Sequence, residues 1–218
     1  MKSTNLLYEQ LTKLPYFTPE QVAALLPTKK QSINMLLWRW QKSGKIFSLK
    51  RGMYQTHDFF IRFHLDFDYI GAMSALIQPN SYLSTISILR EHDMLTEATY
   101  PNTSITSRST RRYINSLGTF WFQHLKPELY TGYELKTFFG IVFGVASRAK
   151  AVFDFLYLRK LEKWMQTKEF DYAEDLRLRV DEMEPAEREE FAKYVALSKS
   201  PKMRYILKNF ERYAWQVS

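Results

Sequence analysis

Gln31, Asn34, Trp38 and Lys42 follow one another at spacings of three and four, so on a helix turning about 100° per residue they share one side with Met35. The residue types on that side suit a nucleic-acid groove. A Gln or Asn amide can pair twice with the edge of adenine, and a lysine can reach a guanine edge or a phosphate. Lys29 and Lys30 lie just before this set, and Lys50-Arg51 just after it, in a turn that ends at Gly52. The expected contacts to double-stranded DNA are therefore Lys29, Lys30, Gln31, Asn34, Trp38, Lys42, Lys50 and Arg51, with Lys30, Lys50 and Arg51 neutralising phosphates. For Trp38 two placements stay open, under the following turn or against a sugar.

A second basic cluster, Arg108, Arg111 and Arg112, sits among hydroxyls in SITSRSTRRYI, and Lys126, Arg148 and Lys150 are candidates to extend it. Guanidiniums and hydroxyls interleaved in an extended segment can clamp phosphates, or they can simply charge a sheet edge against pairing with another chain. Evidence for catalysis is sparse. His57, His64, His92 and His124 form no ligand pair at helical spacing, and no nucleophile elbow, P-loop or dinucleotide fingerprint occurs. Gly140 and Gly144 lack the lysine and hydroxyl of a phosphate cradle. Glu128 with Glu134-Leu135-Lys136 has the residue types of a metal-dependent nuclease, which needs its acids on adjacent central strands. Glu128, however, follows Pro127 in a turn. No catalytic residue, metal or cofactor is assigned.

The elements that must hold these residues are partly spelled out by caps and periodicity. Thr18-Pro19-Glu20-Gln21 reads as a capping box opening one helix, and Thr28 is the expected cap of the next. In that second helix Ile33, Leu36, Leu37 and Trp40 form the apolar stripe and Gly44 supplies the stop. Leu7, Leu11 and Leu14 mark a helix ahead of both. After Gly44 the period becomes two, with Ile46, Phe47 and Leu49 before the Lys50-Arg51-Gly52 tip and Met53, Tyr54 and Thr56 after it. That pattern predicts a two-stranded wing, hence a winged helix-turn-helix over residues 1–60.

Phe59, Ile61, Phe63, Leu65 and Phe67 alternate with other residues, which predicts a strand leading into a second domain, residues 61–218. There the expectation is a helix over 68–76 and another ending near His92. Strands follow over 103–107, 111–114, 119–125 and 140–145, with turns at Gly118 and Pro127. Next come a helix capped by Ser147 and nearly continuous helix from Glu162. Ser200-Pro201 opens the last helix, with Met203, Ile206, Leu207, Phe210 and Tyr213 facing inward. The fold class is α+β: an N-terminal winged helix-turn-helix, then a mixed α/β domain with a small sheet and C-terminal helices.

Composition agrees with a basic, well-packed protein. Over 218 residues the net charge is +8, with 45% hydrophobic and 16% aromatic content, enough for packed cores and favourable to an acidic partner. Up to Thr56 only Glu9 and Glu20 oppose the cations. From Glu169 onward acids outnumber bases, which describes either a solvated helix face or a surface for docking a protein. No apolar run approaches the roughly 18 residues needed to span a bilayer, and no membrane partner is expected. Cysteine is absent, which fits a reducing cytoplasm.

Four segments carry a family resemblance: YFTPEQVAALL…GKIFSLKRGMY, NSYLSTISILREHDMLTEA, ITSRSTRRYINSLGTFWFQHLKPELYTGY and VASRAKAVFDFLYLRK. In this order and spacing the chain, through about residue 160, resembles the AbiEi-type antitoxins of bacterial type IV toxin–antitoxin systems, described as transcriptional regulators. The resemblance implies a winged helix that binds repeats in its own promoter and represses it. It also implies a second domain that neutralises the effect of a nucleotidyltransferase-type toxin, with or without touching it. The family's helix after the last strand opens with Glu-Lys-Ala and carries an Asp further along. Lys150, Ala151 and Asp154 match that pattern, while Ala149 stands in place of the Glu. Two other readings remain: a protein-interaction module docking through its acidic C-terminal helices, and a metal-dependent nuclease.

Overall fold

The computed structural model describes residues 2–95, 101–167 and 170–216 and is of mixed α and β class. Its N-terminal part contains helices α1 (Lys2–Leu11), α2 (Pro19–Leu25) and α3 (Lys30–Lys42), then an antiparallel hairpin of β1 (Ile46–Lys50) and β2 (Met53–Thr56). The capping box opens α2 as expected: Thr18 Oγ1 accepts from Gln21 N, and Gln21 Oε1 accepts from Thr18 N at 2.8 Å. Thr28 does not cap α3. The N-cap is Lys29, and no side chain bonds the first amides.

Leu7, Leu11, Phe17, Val22, Ile33, Leu37, Trp40 and Ile46 form one buried apolar cluster, which fixes how α1, α2 and α3 pack. At the hairpin tip Gly52 has φ 74°, a left-handed conformation that glycine adopts without strain.

The segment expected as a strand after the hairpin is instead α4 (His57–Phe63). Thr56 caps it by accepting from Phe59 N, and Phe59 and Phe63, four residues apart, pack with tilted rings whose centroids are 4.6 Å apart. A period of two and a spacing of four coexist in FFIRFHLDF, and the cap resolves them toward helix. Helix α5 (Phe67–Ile77) follows, then β3 (Ser81–Leu83), α6 (Ile86–Glu91), β4 (Asn102–Thr106), β5 (Arg111–Asn115), β6 (Gly118–His124), β7 (Tyr133–Phe138), β8 (Ile141–Ala146) and α7 (Arg148–Leu158). Strand β7 was not anticipated.

The sheet order is β5-β6-β4-β3-β8-β7, mixed, with parallel pairs β3/β8 and β4/β6. Helix α5 lies on one face, so close that a β-carbon on Gly71 would overlap the Phe143 ring. On the other face lie α6, tied to β4 through Ser87 and Thr103, and α7, tied to β3 through Asp154 and Tyr82.

Residues 170–184 are not the helix expected of them. Turns run there, held by Asn209, which accepts from Tyr172 N and donates to Phe170 O, and by Trp215 Nε1 donating to Val180 O. Helices α8 (Pro185–Ser198) and α9 (Pro201–Tyr213) close the chain, and Ser200 caps α9. Met203, Ile206 and Phe210 are buried as predicted, Leu207 is partly so, and Tyr213 is exposed. Glu169 and residues 96–98, both within stretches singled out in the sequence, lie outside the described residues.

A second, larger apolar cluster fills the space around the six-stranded sheet and takes in Leu49 of the hairpin and Phe59 of α4.

Candidate nucleic-acid interface

Because Ile33, Leu37 and Trp40 are turned inward, the opposite side of α3 must face solvent, and Lys30, Gln31, Asn34, Met35, Trp38 and Lys42 are all exposed. Trp40 is anchored edge-to-face on Tyr8, with centroids 5.4 Å apart, and Tyr8 donates to Lys45 O at 3.1 Å. Burial, reinforced by Asp58, pushes the Tyr8 phenol up to about 12, so it remains a donor at physiological pH. Trp38 is 55% exposed, which removes its placement under the hairpin, and Lys42 Nζ lies 5.9 Å from its ring centroid.

The first turn of α3 holds no acid, and its N-terminal amides have no side-chain partner while Lys29 and Lys30 stand beside them. A helix start of this kind attracts an anion through its amides and its dipole.

The hairpin tip divides its two cations. Arg51 is exposed. Lys50 is half-buried, and its ammonium donates to Leu76 O near the end of α5. One of its three N–H donors is thus taken by a carbonyl of the same chain. Asn115 Nδ2 donates to Leu49 O at 3.0 Å, bracing the same hairpin from β5.

Of the second basic set, Arg108, Arg111, Arg112 and Lys126 are exposed near the β5 edge. They do not all share a face. Arg111 is paired with Phe122 and Arg112 with Trp121, neighbours on opposite sides of the sheet. Arg148 is elsewhere, 3.4 Å from Glu187, in a cavity of about 530 Å³ lined also by His92, Lys136, Tyr133 and Glu190. Burial and the nearby Arg148 pull the His92 pKa below its usual value.

Lys150 is wholly buried and paired with Asp154, so it belongs to no surface patch. Asp154 also accepts from Ser84 Oγ at 2.7 Å and Tyr82 OH at 3.0 Å, while the Lys150 ammonium lies 5.2–5.6 Å from the ring centroids of Phe153, Tyr194 and Tyr82. Burial pushes the carboxyl up and the ammonium down, and each partner's charge opposes the other's shift. The i, i+4 spacing was visible in the sequence; burial of the pair was not.

The nuclease constellation does not assemble. Glu134 and Lys136 lie on edge strand β7, exposed and 3.5 Å from each other, and Glu128 sits in a one-turn 3-10 helix outside the sheet. Among the described residues no group of three His, Asp or Glu is placed to hold a metal, and no helix is long and apolar enough to cross a membrane. Several acids of the C-terminal helices are engaged internally. Glu184 and Glu187 form the capping box of α8, and Glu190 accepts from Ser147 and Tyr194. Comparison of the chain with protein-family models and with curated proteins finds no match.

Proposed function

We propose that this chain is a sequence-specific DNA-binding regulator acting in the cytoplasm of a bacterium, with its N-terminal three helices and hairpin used as a winged helix. One observation carries the reading: Gln31, Asn34, Met35, Trp38 and Lys42 form an exposed face on α3, between an uncapped, lysine-flanked helix start and the exposed Arg51 tip. Gln31 and Asn34 would read base edges, with Lys42 beside them, while Lys29, Lys30 and Arg51 bind phosphates. The resemblance to AbiEi-type antitoxins supplies the context, in which the chain represses its own promoter and its second body counters a nucleotidyltransferase-type toxin.

A mobility shift on the DNA upstream of its own gene tests this directly. Binding should weaken by orders of magnitude between low and moderate salt. Gln31→Ala and Asn34→Ala should relax sequence preference by about 1–3 kcal/mol per contacted base, whereas Lys30→Ala/Arg51→Ala should weaken binding to every sequence and lower the salt slope by about two. Equal affinity of the wild type for promoter and unrelated DNA would sink the reading.

A further inference from the structure

Between the outer part of the sheet and the end of α7 lies a second cavity, of about 270 Å³, whose lining includes Thr85, Trp121, Gln123, Phe155, Arg159 and Lys160. Trp121 and Gln123 are two apart on β6 and face the same way, toward α7. Arg112, directly across from Trp121 on edge strand β5, shares that face. Arg159 and Lys160 follow the last turn of α7 and are exposed, and the Arg159 guanidinium lies 5.6 Å from the Phe155 ring centroid.

The polar groups around Thr85 are satisfied. Ser84 Oγ donates to Asp154, Thr103 Oγ1 donates to Ser84 O, and Thr103 N donates to Ser87 Oγ. Thr85 differs: it is 2% exposed, borders the cavity, and its hydroxyl has no hydrogen-bond partner. Its backbone is held at φ 50°, ψ −131°, unusual for a β-branched residue. Its oxygen lies behind the cavity wall, out of reach of a water molecule, so Thr85 shapes that wall and offers no contact to a ligand.

A negatively charged ligand at the end of α7 would ordinarily meet that helix's unpaired carbonyls. Here Lys202 Nζ donates to Leu156 O, Tyr157 O and Arg159 O at 2.6–2.8 Å, which occupies those acceptors and offsets the negative end of the helix dipole. The cavity thus combines an aromatic platform, a primary amide and a cationic mouth.

We propose that this cavity binds a nucleoside phosphate, with the base against Trp121, the Gln123 amide on its polar edge, and the phosphate on Arg159 and Lys160. Its volume is close to the lower limit of small-molecule sites and suits one nucleotide unit. That unit can be a free nucleotide or the end of a single strand, since both present a stackable base beside a phosphate.

Isothermal titration of the full chain with AMP, ATP, adenosine and a short single-stranded oligonucleotide tests the site. The expected result is saturable binding of the phosphorylated ligands at up to about 1 mM, with adenosine weaker. Tighter binding of AMP than of the oligonucleotide assigns the site to free nucleotides, and the reverse order assigns it to strand ends. Arg159→Ala/Lys160→Ala, both exposed and safe for folding, should weaken AMP at least tenfold and leave adenosine unchanged. Trp121→Leu should weaken both about ten- to hundredfold, the usual range for losing one stacking platform. Lys208→Ala, an exposed charge on α9, serves as control. Three results would overturn the proposal: no binding of any ligand at about 1 mM, AMP affinity unchanged in Arg159→Ala/Lys160→Ala, or loss of AMP binding in Lys42→Ala/Arg51→Ala, which would move it to the α3 face.

Discussion

The α3 face and the centre beneath Tyr82 use similar side chains in opposite ways. On α3, Lys42 and the amides of Gln31 and Asn34 stand in water, where their removal costs the fold little and where a partner can meet them. Under Tyr82, Lys150 and Asp154 are wholly buried, and the carboxylate is surrounded by donors from β3, the turn that follows it, and α7. A charge in that position cannot meet a partner; its work is to fix how α7 sits on the sheet. Exposure separates side chains open to a partner from those that scaffold the fold, and residue type does not.

The sharpest test of the contrast is to remove one charge from each place. Lys150→Ala or Asp154→Ala leaves its partner buried and unpaired and should cost about 3–5 kcal/mol in urea unfolding, with Lys150→Met/Asp154→Leu recovering most of it. Lys42→Ala should change stability by no more than about 0.5 kcal/mol. A Lys150→Ala variant as stable as wild type would erase the distinction.

A finer cut falls between two neighbours. Lys50→Ala loses the bond to Leu76 O and should destabilise by about 1 kcal/mol while leaving the salt slope of DNA binding unchanged. Arg51→Ala should do the reverse, with stability unchanged and the slope reduced by about one. Measuring both quantities on both variants decides whether the hairpin tip really divides its cations between the two uses.

The smallest effect concerns His92. Its folded pKa is lowered, first by burial and then by Arg148, so below the unfolded value of about 6.5 the unfolded chain binds more protons. Its contribution to stability is therefore present above that pH and lost as the pH falls through the folded pKa. Thermal melts of His92→Gln should decline less steeply on acidification than those of wild type, and identical profiles would remove His92 from the acid response.

What the sequence revealed follows the range of the interactions involved. The Thr18 capping box, the α3 stripe, the hairpin and the Ser147 and Ser200 caps depend on residues within a few positions of one another, and the structure contains them. Helix α4 was hidden because its aromatic-rich sequence satisfies both periods, although Thr56 before it and Asp66 after it were readable as caps. Strand β7 was missed because Glu134, Leu135 and Lys136 are exposed at a sheet edge and leave little hydrophobic pattern. Lys150 was misplaced for a different reason: it is buried against Asp154 only once α7 is seated on the sheet, and no local pattern encodes that.

Gln55 carries one more consequence. Fully buried on β2, it donates to Pro15 O at 2.6 Å and accepts from Tyr69 OH on α5 at 2.6 Å, so a single amide joins the chain before α2, the hairpin and the sheet's covering helix. A fragment ending near residue 60 would uncover that amide together with Leu49 and Phe59, and should behave as a sticky, partly unravelled peptide. For the same reason the hairpin and α5 are held together as one piece through a single buried side chain.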